Sequence, residues 1–308
     1  MDYFRKFKSN IENDKYFLPL SIGQYDIWIE QQLYPDDISN HSHFVAKIND
    51  ELNITSLKKA LFRLSERHES IRTIFPLERE IPVRKILPAS EIQLHIEDCT
   101  HLSEIEIKSK INERFEIPFD LLVDVPYKFF LYKRLDNEYY LQIVEHHIAV
   151  TMDAYINLPV ELAKLYVLEC SGNDSTLKNI SSTYSNYIQK QYEEFFSDRF
   201  KSDENYWMNY LSGNLPEPVF PLQSQAVQNY QKFNGRVIHC DLNCDLVSNI
   251  NEICLSQNVS VFSFLTATFQ ALMHLCTSQD EVIVGIPNDT RRGVHKEVIG
   301  YTANSLPL

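Results

Sequence analysis

Two neighbouring apolar runs constrain the fold of this chain more than any other feature. Tyr127 to Leu135 and Glu138 to Val144 are rich in aromatic and β-branched residues, and only Asp136-Asn137 separates them. Such runs favour strands, and a two-residue polar break between them indicates a β-hairpin. The second run leads into His146 and His147. Because adjacent residues on a strand point to opposite faces, we expect one histidine to enter the protein body and the other a cleft.

The two histidines suggest chemistry. A neutral imidazole can accept a proton near pH 7, so the histidine that faces the cleft is a candidate general base. The alternative is that both are hydrogen-bonded structural histidines with no chemical role. Spacing alone leaves both interpretations open.

Helical periodicity and turn signals surround the hairpin. We predict helices over residues 21–33, 55–67, 102–115, 153–170, 245–257 and 261–276, and a long helix or helix pair over 181–211. Ser21 and Thr55 are the expected N-caps of the first two. Further strands are predicted over residues 43–48, 71–75, 83–87, 93–97, 236–242 and 281–286. This alternation indicates a mixed α/β sandwich, and the polar segment Ser171 to Thr176 predicts two units, 1–174 and 175–308.

Composition excludes several classes of function. The formal charge of −13 leaves no basic stripe for nucleic acid. The six cysteines are scattered without paired C-x-x-C clusters, so neither a metal site nor a disulfide framework is expected. No apolar stretch reaches the roughly 18 residues of a membrane span, and the first residues do not form a secretion signal. We therefore expect a cytoplasmic protein with no membrane partner.

Four short segments resemble, in order, the core motifs of condensation domains from nonribosomal peptide synthetases. Those motifs have the forms S-x-x-Q-x-x-x-W, R-H-E-x-L-R-T-x-F, H-H-x-x-x-D-G and I-G-x-x-x-N-T-L-P-L. The corresponding segments are Leu18 to Trp28, Arg67 to Phe75, Glu145 to Val150 and Val298 to Leu308. The resemblance runs from about Tyr16 to the last residue.

This resemblance implies a fold and a reaction. The fold would be two chloramphenicol-acetyltransferase-like lobes in a V, the second incomplete, with the double-histidine loop in a tunnel between them. The reaction would join a donor acyl or peptidyl thioester to an acceptor aminoacyl thioester as an amide. Both substrates would arrive on phosphopantetheine arms of partner carrier domains, with no cofactor held by this domain and an adenylation domain downstream. His147 would be the catalytic base, and His146 would support the loop.

The third motif departs from the family pattern. An ungapped match places Thr151 and Met152 where the family has aspartate and glycine, and Asp153 follows. In the family that aspartate is mainly structural and pairs with an arginine, which here would be Arg67 or Arg72. Threonine offers no charge, so a buried arginine would lack its counter-ion unless another acid compensates or the loop is remodelled. Glu69, Asp153 and Glu145 are the candidate acids.

Other residues carry weaker expectations. Met152, Asn304 and Ser305 would lie beside the substrate channel, although the last two could equally be hydrogen-bonding groups at a strand end. Arg291 and Arg292 could hold the phosphate of a phosphopantetheine arm, because guanidinium groups bind phosphate well, or form a solvated corner.

Length also departs from the pattern, because the family would continue well beyond residue 308. We therefore expect a fragment of a larger synthetase, with this domain opening the polypeptide. Two alternatives remain: a degenerate domain that docks carrier proteins without catalysis, and a starter-type acyltransferase with an acyl-coenzyme A or acyl-carrier donor. The double histidine argues against a cyclisation domain, and the position at the start of the chain against an epimerisation domain.

Overall fold

The structure is a computed structural model that describes residues 18–172, 177–216 and 238–308. Its contacts divide the chain into two compact units. One comprises Met1–Phe200 with Asp289–Asn304, and the other comprises Lys201–Asn288 with Ser305–Leu308. The predicted division near residue 174 falls on residues outside the described part, and that boundary stays a prediction.

A four-stranded sheet forms the centre of the first unit, in the order β1-β8-β7-β6. Its strands are β1 His41–Ile48, β6 Leu94–Asp98, β7 Tyr127–Leu135 and β8 Glu138–His146. The predicted hairpin is confirmed: β7 and β8 pair antiparallel, with Leu135 opposite Glu138 across the two-residue turn. β1 pairs antiparallel with β8, and β6 parallel with β7. The strand that ends in the histidines is therefore paired on both sides.

Short strands and the helices complete the described elements. The short strands are β2 Thr73–Ile74, β3 Leu77–Glu78, β4 Ile81–Pro82 and β5 Lys85–Ile86. In the first unit the helices are α1 Ile22–Leu33, α2 Ile54–Arg67, α3 Glu104–Phe115, α4 Met152–Ser171 and α5 Tyr184–Phe195. The next helix, α6 Asp198–Tyr210, completes the predicted helix pair, and α7 Cys244–Ser256 and α8 Val261–Thr277 follow.

Local capping explains where the helices begin and end. Ser21 caps α1, as predicted, and forms a reciprocal capping box with Gln24. The cap of α2 is Asn53 rather than Thr55, because the Asn53 side chain accepts from the backbone N–H of Ser56. α4 ends at Gly172, whose φ of 61° is the left-handed conformation that glycine adopts without strain. These caps fix α1 and α4, the helices that flank the histidine loop.

Two predicted strands differ from the structure. Within the described residues 238–242 there is no strand, so the predicted strand over 236–242 is wrong there; residues 236 and 237 lie outside the described part. The strand predicted over 281–286 begins later, as β9 Gly285–Asp289, alternates between partly buried and exposed residues, and pairs with β10 Ala303–Pro307. Hydrophobic runs alone located these strands poorly because turn geometry sets their ends.

Helices α7 and α8 of the second unit are apolar and largely exposed, including Leu255, Phe262 and Leu275. No single helix in the described ranges is long and apolar enough to cross a membrane. The bent pair α7 and α8, with 107° between its members, meets the length and composition criteria only when both helices are taken together.

Candidate active site

The two histidines occupy opposite environments at the end of β8. His146 is the last strand residue and is fully buried, whereas His147 is exposed and begins a 3-10 turn over His147–Ala149. This is the alternation expected of a strand. The histidine that can meet a substrate is therefore His147.

His146 is held as a neutral ring. Its Nδ1 accepts from the backbone N–H of Ile148 at 3.1 Å, so the ring proton lies on Nε2, which donates to Gln31 Oε1 at 3.0 Å. Burial, with the nearby His41 and His147, lowers the pKa of His146 to about 3. A ring that stays neutral and has both nitrogens bonded supports the loop rather than transferring protons.

His147 has the opposite arrangement, with one ring nitrogen available. Its Nδ1 lies 2.8 Å from the carbonyl oxygen of Val150. Because a carbonyl only accepts, Nδ1 carries the proton and the lone pair resides on Nε2. No residue in the described ranges bonds to Nε2. The ring of Tyr301 meets the His147 ring edge to face, with 5.4 Å between centroids. The imidazole is therefore oriented and accessible.

Neutral hydrogen bonds hold the backbone of the loop. The N–H of His147 donates to Asn40 O at 2.7 Å. The Gln24 side chain donates to Ile148 O at 2.9 Å, and the Tyr127 hydroxyl donates to Ala149 O at 3.1 Å. Gln24 and Tyr127 are buried, so water competes little for these bonds. The loop thus has a defined shape without an ion pair of its own.

Thr151 contributes nothing detectable to that shape. It is the N-cap of α4, yet its side chain makes no capping bond, and its buried Oγ1 has no hydrogen-bond partner among the described residues. Met152, the first residue of α4, is 71% exposed. Asp153 follows it in the helix. The side chain of Asp153 lies outside the described part, so its compensating role stays a prediction.

Arg67 obtains its counter-ion from a residue that the sequence analysis did not name as one. Glu161 of α4 accepts from Arg67 Nε at 2.5 Å and from His68 Nε2 at 3.0 Å. Arg67 also donates to the carbonyl of Lys178 at 3.0 Å. Burial alone would raise the pKa of Glu161, but the His68 and Arg67 contacts lower it to about 2. Arg67 therefore has a counter-ion, and that counter-ion is Glu161 rather than one of the candidate acids Glu69, Asp153 and Glu145.

Arg72 and Glu69 make structural contacts. Arg72 donates to two carbonyl oxygens, Ser65 O at 2.8 Å and Leu87 O at 2.5 Å. A carboxylate oxygen of Glu69 lies 3.8 Å from Arg84 Nη1 and also accepts from the backbone N–H of Ser185 in α5. None of these contacts is with the histidine loop.

Glu145 is a buried acid directly before the histidines. Ser42 donates to its Oε2 at 3.3 Å, while Oε1 is buried without a partner among the described residues. Burial raises the pKa of Glu145 to about 8, and the Ser42 bond lowers it only partly. The group is therefore mostly protonated at neutral pH. A neutral acid cannot replace the missing motif aspartate as a counter-ion.

An aromatic cluster supports the His147 ring, and sequence analysis did not assign it a role. The Tyr301 ring lies where a Cβ on Gly23 would overlap it, and a Cβ on Gly300 would overlap the Tyr184 ring. The Tyr184 hydroxyl donates to Tyr301 O at 2.7 Å. Glycine scarcity in the sequence was the available signal, because each glycine then marks a turn or a close approach. Here two glycines admit the two tyrosines.

The two arginines predicted to share a phosphate are engaged separately. Arg291 is 8% exposed; it binds the Asp289 carboxylate, with Nη2 to Oδ2 at 2.8 Å, and donates to Val298 O. Arg292 is exposed and donates to Asp289 O at 2.6 Å. The side chains line different cavities. The geometry therefore does not bring the two guanidinium groups onto one anion.

The remaining predicted positions lie on β10. Asn304 and Ser305 are both exposed, and their place beside a substrate channel stays a prediction. No cluster of three metal-ligating side chains occurs among residues 18–172, 177–216 and 238–308.

A protein-family model, Condensation domain, matches residues 14–308. Malpinin synthetase from Mortierella alpina is 26% identical, and the match covers 94% of this chain and 4% of that protein. Surfactin synthase subunit 2 from Bacillus subtilis (strain 168) is 29% identical, and the match covers 94% of this chain and 8% of that protein. The chain therefore spans a small part of these curated relatives.

Solved structures share the fold. The first condensation domain of the calcium-dependent antibiotic synthetase, in complex with a substrate analogue, superposes with a TM-score of 0.76 at 19% identity, over 95% of this chain and 68% of that one. The X-domain in a complex with OxyB from teicoplanin biosynthesis superposes with a TM-score of 0.77 at 20% identity, over 96% of this chain and 65% of that one. The expected mixed α/β class is confirmed. With the family model matching nearly the whole sequence, this chain belongs to the Condensation domain family.

Proposed function

We propose that this chain is a catalytic condensation domain in which His147 acts as the base for amide formation. Condensation domains are amide-forming acyltransferases, and in nonribosomal peptide synthetases they work with carrier and adenylation domains. One observation carries the proposal for this chain: His147 presents an unbonded Nε2 from a loop that neutral hydrogen bonds hold in place.

The reaction needs few protein groups. The acceptor amine attacks the donor thioester carbonyl, a C–N bond forms, the C–S bond breaks, and the amine loses one proton while the sulfur gains one. His147 Nε2 takes that proton and returns it to the departing thiolate, so no group is consumed. The hydrogen bond to Val150 O keeps the tautomer that this step requires, and placing two thioesters together supplies effective concentration.

The partners follow from the same chemistry. Thioester substrates would be carried on phosphopantetheine arms of donor and acceptor carrier domains, with an adenylation domain loading the acceptor. The support for this is the family itself. Met152, Asn304 and Ser305, all exposed, remain the proposed lining of the substrate channel.

The test measures amide product. A donor carrier and an acceptor carrier, each loaded with its thioester, are incubated with the wild type and with His147→Ala, and the product is followed by mass spectrometry. We expect the substitution to slow product formation by about 10²-fold or more. His101→Ala is the matched control, because His101 is an exposed histidine far along the chain from the loop. Equal rates for His147→Ala and wild type would remove His147 from the mechanism.

A second function, docking without catalysis, is favoured by one observation: Thr151 replaces the motif acid and its hydroxyl is unpaired. A similar solved fold, the X-domain, is described in a complex with another protein. Wild type that yields no amide with several carrier-borne donors, or with an acyl-coenzyme A donor for the starter-type alternative, would support docking. Activity gained in Thr151→Asp with Met152→Gly would then attribute the loss to this loop.

A further inference from the structure

The buried side chain of Glu145 lies between two strands that both contact the histidine loop. In the sheet, Glu145 is opposite Ser42 of β1 on one side and opposite Tyr127 of β7 on the other. Directly opposite residues of antiparallel strands point to the same face, with their Cβ atoms about 5 Å apart. The carboxyl group of Glu145 therefore shares one face of the sheet with the Ser42 hydroxyl and the Tyr127 phenol.

Tyr127 connects this face to the turn that begins at His147. Its side chain is 1% exposed, and its hydroxyl donates at 3.1 Å to the carbonyl oxygen of Ala149, the last residue of the turn. A phenol has a single proton to donate, so this bond uses the only donor of the Tyr127 side chain. The turn keeps the bond as long as no stronger acceptor competes for that proton.

Glu145 has no cation to compensate a negative charge. In the part of the chain that the structure describes, Ser42 is the one residue that bonds to its carboxyl group, at 3.3 Å, and Oε1 is buried without a partner. No described arginine, lysine or histidine forms an ion pair with it. A buried carboxylate with one neutral donor is costly, so this position favours the protonated acid.

The nearby histidines point away from Glu145. His41 and His43 flank Ser42 on β1, and His146 follows Glu145 on β8. Because successive strand residues alternate between the two faces of a sheet, all three histidines lie on the face opposite to the carboxyl group.

The Tyr127 phenol is the titratable group that faces Glu145 from a paired strand. Tyr155 of α4 also reaches the sheet, but its hydroxyl donates to the carbonyl oxygen of His43 at 3.0 Å. Burial raises the pKa of Tyr127 well above its usual value, and the neighbouring Glu145 raises it further. The phenol therefore keeps its proton, and can still donate it in a hydrogen bond, when Glu145 ionises.

From this arrangement we propose that Glu145 is a positioning residue for His147. The neutral acid leaves the Tyr127 hydroxyl bonded to Ala149 O, whereas the carboxylate draws that hydroxyl to itself and releases the turn. The proton lost by Glu145 passes to bulk water, and no covalent bond in the protein changes. Ionisation reverses the preference because a hydrogen bond to a charged acceptor is roughly twice as strong as one to a carbonyl oxygen.

The pH profile of amide formation tests this role, and this measurement rests on the proposed function. Burial raises the pKa of Glu145 to about 8, so its neutral fraction falls about tenfold between pH 7 and pH 9. The rate of the wild type, relative to its own rate at pH 7, should fall by the same factor. Glu145→Gln keeps a neutral side chain and Tyr127→Phe has no hydroxyl to exchange, so neither variant should show the fall.

Tyr132→Phe is the matched control for the loss of a buried hydroxyl. Tyr132 is also a buried tyrosine of β7, and its hydroxyl donates to Gln142 at 2.7 Å rather than to the loop. This variant should keep the wild-type fall between pH 7 and pH 9. A fall that persists in Glu145→Gln or in Tyr127→Phe would overturn the proposal.

Hydrogen exchange measured by mass spectrometry tests the same role without catalysis. Wild type and Glu145→Gln are compared at the same pH, so that the intrinsic pH dependence of exchange cancels. We expect the peptide that contains residues 146–150 to lose protection in the wild type relative to the variant at pH 9, but not at pH 7. Peptides from α2 should be equally protected in both proteins.

The two measurements separate this proposal from the proposed function. Equal protection of the two proteins at pH 9, or a loss spread over the α2 peptides as well, would overturn the role of Glu145. A loss confined to the loop, with no amide product at any pH, would support that role and contradict the proposed function. Amide product whose rate does not fall between pH 7 and pH 9 would do the reverse.

Discussion

Arg67 and Glu161 form a direct ion pair between the last residue of α2 and the middle of α4, with Nε and Oε1 2.5 Å apart. Both side chains are about 20% exposed, and His68 bonds to the second carboxylate oxygen at 3.0 Å. Because α4 begins directly after the histidine loop, this pair anchors the helix that follows the loop. Arg67 therefore does not depend on residue 151 for a counter-ion.

Glu161→Gln should therefore destabilise the fold, because it leaves Arg67 without its counter-ion. We expect a loss of about 2–3 kcal/mol in the free energy of unfolding, below the cost for a fully buried pair. Urea denaturation monitored by circular dichroism measures it. Glu51→Gln, which changes an exposed glutamate, should leave the stability within about 0.5 kcal/mol.

The pH dependence of stability gives this pair a second signature. The pKa of Glu161 is about 2 in the fold and ordinary in the unfolded chain, so the unfolded state binds the extra proton between pH 4.5 and 2. The stabilisation is present above pH 4.5 and is lost at up to about 1.4 kcal/mol per pH unit as pH falls. Glu161→Gln should remove that contribution. An unchanged acid slope would mean that the pair is not formed in solution.

Gly23 is predicted to be essential for the position of the Tyr301 ring. A Cβ at residue 23 would overlap that ring, which packs on His147. Gly23→Ala should cost about 1–3 kcal/mol of stability through overpacking and should lower amide formation by displacing the ring. Thermal unfolding and the product assay measure the two effects. Gly285→Ala is the control, because a Cβ there meets no atom within 4 Å; equal behaviour of the two variants would contradict the packing argument.

Local sequence signals predicted the parts of the site that depend on local structure. Strand alternation predicted that His146 and His147 face opposite ways, the family resemblance assigned the cleft to His147, and the two-residue break predicted the β7–β8 hairpin. Long-range partners were beyond such signals. Gln31 lies 115 residues from His146, and Glu161 lies 94 residues from Arg67, so only the packing of α1 and α4 brings them together.

Family patterns predicted residue types better than residue partners. The family pattern predicted that the residue at position 151 would pair with Arg67 or Arg72. In the structure Arg67 pairs with Glu161, and Arg72 donates to backbone carbonyl groups. Sequence matching did not anticipate this pair, because the packing of α2 against α4, rather than motif spacing, decides which acid contacts Arg67.

Glu145 should make the fold less stable as the pH rises above neutrality. Its pKa is about 8 in the fold because of burial, so between pH 4.5 and 8 the folded state holds a proton that the unfolded state has released. Stability attributable to this group is complete below pH 4.5 and is lost as the pH rises through 8. The pKa values of His41 and His146 are lowered by burial, so their contributions fall below pH 6.5.

The window between pH 6.5 and 8 therefore isolates Glu145. In the wild type, ionisation of Glu145 should lower the free energy of unfolding by about 1–2 kcal/mol between pH 6.5 and 8, at up to about 1.4 kcal/mol per pH unit. Glu145→Gln should abolish this loss. Urea denaturation at pH 6.5 and at pH 8 measures the difference. Glu116→Gln, at an exposed position, should retain the wild-type slope. A slope unchanged by Glu145→Gln would show that this carboxyl group ionises normally in the fold.

Thr151 and Thr73 offer a matched pair of hydroxyl deletions with opposite expected signs. The Oγ1 of Thr151 is buried and unpaired among the described residues, whereas the Oγ1 of buried Thr73 donates to Glu69 O at 2.6 Å. Valine keeps the shape of threonine and removes only the polar group.

Thr151→Val should therefore be neutral or stabilising by up to about 1 kcal/mol, because an unsatisfied buried hydroxyl is lost. Thr73→Val should cost about 1–2 kcal/mol, because it breaks a bond and leaves a carbonyl acceptor behind. Urea denaturation of the wild type and both variants at one pH measures these changes in the free energy of unfolding. A loss above about 1 kcal/mol in Thr151→Val would mean that the Thr151 hydroxyl forms a hydrogen bond in solution.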